Sequence, residues 1–163
     1  MPTIVTTVDF IGKYELHISE FTMPVLNEYI LRMEEYLLVE LFGKELYDLW
    51  NGSAAPEYTV LTAPLTFQDE CGKVWQSRGI KDMLTGFIYF DYSRDRYTQQ
   101  TITGPVKQDG ENSGNATHVM SLLTMRYEEA LISYQAIQAY IIDNPVTYPE
   151  FKGVRKETII PYF

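Results

Sequence analysis

Residues 117–143 read THVMSLLTMRYEEALISYQAIQAYIID, with apolar side chains at Val119, Leu123, Tyr127, Ala130, Tyr134, Ile137 and Ile141. Steps of three and four residues put all seven on one face of an α-helix. Asn144 and Pro145 stop it, since proline cannot continue a helix. The same period recurs upstream. From Thr22, read as an N-cap, with Pro24 in the first turn, an apolar stripe runs through Leu26, Ile30, Met33, Leu37 and Leu41. Val25, Tyr29, Tyr36 and Val39 make a second apolar face and Glu28 and Arg32 an i,i+4 pair on the polar side, so this helix is expected to pack on two sides. Gly43 permits a bend before a short continuation over 44–50. Another helix is expected from Ser77 or Gly79 to about Tyr97, with Ile80, Leu84, Phe87, Ile88 and Asp91 along one side and aromatic residues at Phe87, Tyr89, Phe90, Tyr92 and Tyr97.

The segments between these helices carry turn residues. Asn51, Gly52, Ser53 and Pro56 end the first helix, and 57–76 reads as a loop with short strands at 58–61 and 65–67 and a turn at Asp69, Glu70 and Gly72. Residues 98–116 form a polar stretch longer than the roughly 4–6 residues that usually connect elements, which makes it either functional or disordered. Residues 1–21 alternate irregularly, as short extended pieces would. The expected fold is therefore mainly α: a bundle of three to four helices with a long polar loop, short strands and an extended C-terminal tail. Its expected organisation is one domain over 1–163, with an N-terminal segment (1–21), a helical core (22–143) and a tail (144–163).

The 163 residues are 45% hydrophobic and 21% charged, enough apolar material for one core. A net charge of -9 argues against unaided binding to a phosphate backbone, which draws its affinity from clustered Lys and Arg. Arg94 and Arg96 follow the aromatic run, but Asp91 and Asp95 beside them cancel much of their field. The apolar runs fall far short of the roughly 20 residues that span a bilayer, so no membrane partner is expected. A single Cys71 cannot form an internal disulfide, which suits a reducing cytoplasm.

Catalytic patterns do not emerge. His17 and His118 lie far apart and outside any His-Glu-x-x-His context, so no metal is expected. Cys71 has no flanking base. Gly104, Gly110 and Gly114 lack the spacing of a phosphate-cradling loop, so no cofactor is expected. Glu34-Glu35, Asp69-Glu70 and Glu128-Glu129 are adjacent pairs, which diverge on a helix and read as solvated faces. Asn115, in an Asn-x-Thr context, reads as a helix cap. The chain is expected not to be an enzyme.

Several spaced pieces, taken in order, carry a resemblance. They are Glu40-Leu41-Phe42-Gly43-Lys44-Glu45-Leu46-Tyr47; Phe67-Gln68-Asp69-Glu70-Cys71-Gly72-Lys73 followed by Gly79-Ile80-Lys81; Phe87-Ile88-Tyr89-Phe90-Asp91-Tyr92; Thr103-Gly104-Pro105-Val106 leading to Glu111-Asn112-Ser113; and Asn144 with Tyr148-Pro149-Glu150-Phe151. Together, over about residues 20–155, they resemble the head-to-tail connector (adaptor) proteins of tailed phages, particularly phages of Bacteroides-type hosts and the crAss-like group. The resemblance implies a helical bundle made in the host bacterial cytoplasm and built into the virion neck as a closed ring, typically of about twelve copies. Such a ring sits beneath the portal protein, meets downstream neck or tail proteins, and passes DNA only as cargo. An acidic balance suits a channel that DNA traverses.

On this reading the oligomer or portal interface falls on the long loop and the tail, at Thr103, Val106, Glu111, Asn112, Ile159, Ile160, Tyr162 and Phe163. An apolar tail needs something to dock on. The alternatives are a stopper or tail-completion neck protein, against which the helix content argues, and a small helical binding module or enzyme with the aromatic helix 79–97 lining a ligand pocket.

Overall fold

The computed structural model describes residues 3–16, 19–20, 22–53, 55–101, 104–107 and 116–156, and the side chains of these except 52, 97–101, 104–107 and 116–120. Over that range the chain is mainly helical, as the periodicity predicts. The five helices are α1 (Met23–Phe42), α2 (Lys44–Gly52), α3 (Pro56–Thr62), α4 (Ile80–Tyr97) and α5 (Ala116–Asp143). Two short antiparallel hairpins accompany them, β1 (Leu65–Gln68) with β2 (Val74–Ser77) and β3 (Thr98–Thr101) with β4 (Gly104–Lys107).

The expected stripe on α5 is buried at Leu123, Tyr127, Ala130, Tyr134, Ile137 and Ile141, and the side chain of Val119 lies outside the described set. It packs on α4, whose Phe87 ring stands edge-on to Tyr127 and Tyr134 at centroid distances of 5.1 and 6.1 Å. Gly86 lets the two helices approach: a Cβ there would lie 2.9 Å from the Ala130 Cβ. On α1, Leu26, Ile30, Leu37 and Leu41 are buried as the stripe predicts. The second face divides. Tyr29 packs edge-on against Tyr92 of α4 at 5.4 Å, whereas Val25 and Tyr36 stay exposed. Thr22 stands at the start of α1 but does not cap it; its hydroxyl is engaged with Ser19 instead.

Glu34 is a correction to the reading of Glu34-Glu35 as a solvated pair. It is buried on α1, and its carboxylate accepts the Ile4 N–H (2.9 Å to Oε1) and the Val5 N–H (3.1 Å to Oε2). This bond ties the N-terminal segment, where Val5, Phe10 and Tyr14 are buried, to the bundle. That segment forms two 3-10 turns, Thr7–Asp9 and Gly12–Tyr14, instead of extended pieces. Glu34→Ala would strand two amides from their charged acceptor, and the expected loss is about 2 kcal/mol of unfolding free energy, read by chemical denaturation.

Two further expectations are corrected. Residues 58–61 are not a strand but part of α3, where Pro56 occupies the first turn, a position at which its missing N–H costs nothing. The start of the 98–116 stretch is not all loop, since β3 pairs with β4 in the register Gln99↔Val106. The turn at Asp69 is as expected. Its Oδ1 accepts the Cys71 and Lys73 N–H groups, its Oδ2 accepts the Trp75 Nε1–H at 2.8 Å, and Gly72 takes φ +83.

Beyond α5, Tyr148 turns back into the core and its hydroxyl donates to the Glu57 carbonyl at 2.6 Å. Burial pushes this phenol up to about 12 from an ordinary value of 10.0. An acid that ionises later in the fold than in the unfolded chain gives stability that is intact below about pH 10 and is lost as pH rises through about 12. Tyr148→Phe is therefore expected to flatten the alkaline decline in that window in a pH series of thermal melts.

Candidate interaction surfaces

Among the described residues no group of three or more His, Cys, Asp or Glu side chains is placed to hold a metal, and no helix is long and apolar enough to cross a membrane. Cys71 is exposed in the β1–β2 turn. The most concentrated charge sits where the N-terminal turns meet α4 and α5. Glu129 pairs there with Lys13 (2.9 Å), Arg126 (2.9 Å) and Arg78 (3.2 Å), and Lys13 also reaches Asp82 at 3.4 Å. Burial works against the Lys13 charge, but its bonds to Tyr14 and Glu129 outweigh burial and hold the ammonium above its usual value. Burial likewise disfavours the Glu129 carboxylate, and Lys13, Arg126 and Arg78 together pull it below its usual range. These charges satisfy one another and knit three elements together. Arg94 is neutralised in the same way, by Asp91 at 3.0 Å and Asp95 at 3.3 Å, as the sequence suggests.

The second feature is a strap, residues 151–156, laid across the C-terminal end of α1. A helix leaves its last four carbonyls without intrahelical donors. Here Gly43 N–H serves Val39 (2.8 Å), Val154 N–H serves Glu40 (2.7 Å), the Gln138 side-chain amide serves Leu41 (3.0 Å) and Lys152 N–H serves Phe42 (3.1 Å). The Val154 carbonyl in turn accepts Tyr134 Oη–H at 2.6 Å and the Gln138 amide at 3.0 Å, and Gln135 donates to the Lys156 carbonyl at 3.0 Å. Lys156 closes the strap with an ion pair to Glu40. So this part of the expected tail docks on its own bundle.

Beside the strap lies a groove of about 280 Å3, between β2, the end of α5 and the strap itself. Its lining is apolar at Trp75, Ile142 and Phe151 and polar at Gln135, Gln138 and Arg155. Elsewhere large apolar side chains stand out in water: Val146 is 93% exposed, Val8 74%, Ile11 70%, Ile142 63% and Leu31 61%.

Of the interface residues expected from the sequence, Val106 lies in β4 opposite Gln99. Thr103, Glu111, Asn112, Ile159, Ile160, Tyr162 and Phe163 lie outside the described residues, as do His17 and Asn115. The structure instead brings forward Trp75, Ile142, Phe151, Gly153 and Arg155, of which only Ile142 carries a signal in the local sequence pattern. The exposed Ile142 was the available signal, an apolar residue off the α5 stripe. No protein-family model, curated protein or solved structure matches this chain.

Proposed function

We propose that the chain is a head-to-tail connector subunit of a tailed-phage neck, one copy of a ring beneath the portal that joins the DNA-filled head to the tail. The observation that carries this reading is a division of labour on the surface. Several buried and half-buried ionisable groups, Glu34, Glu129, Lys13 and Glu40, are spent on bonds within the fold, while large aliphatic side chains are left in water at Val8, Ile11, Leu31, Ile142 and Val146. On this reading these side chains meet neighbouring copies or the portal. The mainly helical architecture agrees with what the sequence resemblance implies. The β3–β4 hairpin follows directly on the end of α4, and on this reading it is a contact with a neighbour.

The test uses variants that spare the fold. Val8→Asp, Ile11→Asp and Val146→Asp replace exposed side chains, so each should change stability by no more than about 0.5 kcal/mol. Co-purification with the portal protein, or ring assembly, should fall at least about tenfold for one or more of them. Wild-type assembly by all three, with the fold intact, would remove the observation on which the proposal stands.

A further inference from the structure

The two ends of the described chain are fastened in different ways. The N-terminal segment sinks apolar side chains into the bundle, with Val5, Phe10 and Tyr14 all buried. None of residues 151–156 is buried: Lys152, Val154 and Arg155 are exposed, and Phe151, Gly153 and Lys156 are half-buried. Polar bonds hold the strap instead. Its N–H groups at Lys152 and Val154 donate to the last turn of α1, and its carbonyls at Val154 and Lys156 accept from Tyr134, Gln138 and Gln135 of α5. Ion pairs join Lys156 to Glu40 and Lys152 to Glu45. The Lys152 pair is exposed and adds little, so the hydrogen bonds set the hold.

Segments with few buried apolar contacts open at lower free energy than the whole fold. The bonds of this one also depend on one another. Val154 reaches α1 through its N–H and α5 through its carbonyl, and the Gln138 amide joins the same two elements by donating to both the Val154 and the Leu41 carbonyls at 3.0 Å. Gly153, between the two donors, sits so close to α1 that an added Cβ would come within 2.1 Å of the Leu41 carbonyl oxygen. Lifting the strap from one helix therefore strains its bonds to the other. We infer that residues 151–156 are a latch, which opens as one unit while the five helices stay folded. Phe151, Gly153 and Arg155 also line the groove beside Trp75 and Ile142. The groove thus keeps this wall only while the latch is closed, and a contact made in it favours closure.

A latch of this kind has its own response to denaturant. The slope of free energy against urea scales with the surface that opening exposes, and a strap without buried residues exposes little when it leaves. Unfolding of the bundle exposes the core of α1, α4 and α5 and has a steep slope.

The test is amide hydrogen exchange of the full chain, followed by NMR at a series of urea concentrations below the unfolding transition. Without urea the Lys152 and Val154 amides should exchange together, about 100- to 1,000-fold slower than in an open chain and at least about tenfold faster than the slowest amides of α4 and α5. Their rates should barely change with urea while the core amides accelerate steeply. Tyr134→Phe keeps the buried ring and removes one bond to the Val154 carbonyl. It should speed exchange about tenfold at Val154 and equally at Lys152, because the unit opens as a whole. Strap amides with the free energy and urea slope of the core would mean that the strap leaves only when the bundle unfolds. An effect of Tyr134→Phe on Val154 alone would mean fraying residue by residue, and amides as fast as an open chain would mean that no closed latch exists; each of these overturns the inference.

Discussion

Gly153→Ala is expected to unfasten the strap and to cost about 3 kcal/mol, an overpacking penalty joined to the loss of bonds that the displaced strap can no longer make. A Cβ at this position would lie 2.1 Å from the Leu41 carbonyl oxygen, 2.6 Å from the Phe151 ring and 2.8 Å from the Gln138 amide nitrogen. Backbone oxygen cannot yield as a flexible side chain does, so the strap must lift. Lifting it deprives Glu40 and Phe42 of their donors and leaves the buried Tyr134 hydroxyl without the Val154 carbonyl. For a chain of this size the melting temperature should drop by roughly 6–12 °C, and hydrogen exchange at Lys152 and Val154 should approach that of an open chain. Gly12→Ala is the control. Its φ is +62 but no atom lies within 4 Å of the added Cβ, so only conformational strain of about 1–2 kcal/mol applies. If Gly153→Ala melted within 2 °C of the parent, with the strap amides still protected, the account of the α1 terminus would be wrong (roughly, given the scaling of stability with melting temperature).

A larger loss is expected where α4 meets α5. Gly86 faces Ala130 across a close approach of the helix pair, with the Tyr14 hydroxyl 3.1 Å and the Arg126 carbonyl 3.5 Å from an added Cβ. Gly86→Leu would drive the helices apart and unstack Phe87 from Tyr127 and Tyr134, at a cost of roughly 4 kcal/mol or loss of cooperative unfolding altogether. Alanine poses a finer question, because it gains about 1 kcal/mol of helix propensity against a 2.9 Å contact with Ala130. The double substitution Gly86→Ala with Ala130→Gly moves the methyl group across the interface and should recover most of the loss seen for Gly86→Ala alone. Urea denaturation of the four proteins forms a double-mutant cycle. Additive effects would mean that the two positions do not share one space.

The helices were legible because burial repeats at helical spacing. α5 shows this most clearly, since almost every side chain that its period assigns to the core is in the core. α3 was not legible. Pro56 ends one helix and begins the next, and Tyr58, Thr59 and Val60 carry strand propensity that packing of the buried Leu61 overrides. The β3–β4 hairpin escaped because Thr-Gln-Gln-Thr has no apolar alternation. Glu34 could have been found: Ile30, Glu34, Leu37 and Leu41 keep the stripe's own spacing, which places a carboxylate on the buried face and demands a partner. The strap could not. Gly153 and Gln138 answer to Leu41, more than ninety positions away from Gln138 (97 residues), and only the folded chain brings these groups together.

The central claim, a ring subunit that binds the portal, is tested most directly by the mass distribution of the purified protein, alone and mixed with the portal protein encoded beside it, by mass photometry. The account predicts a discrete large ring or a stoichiometric complex with the portal, whose mass gives the copy number. A monomer that stays a monomer in the presence of the portal would contradict it.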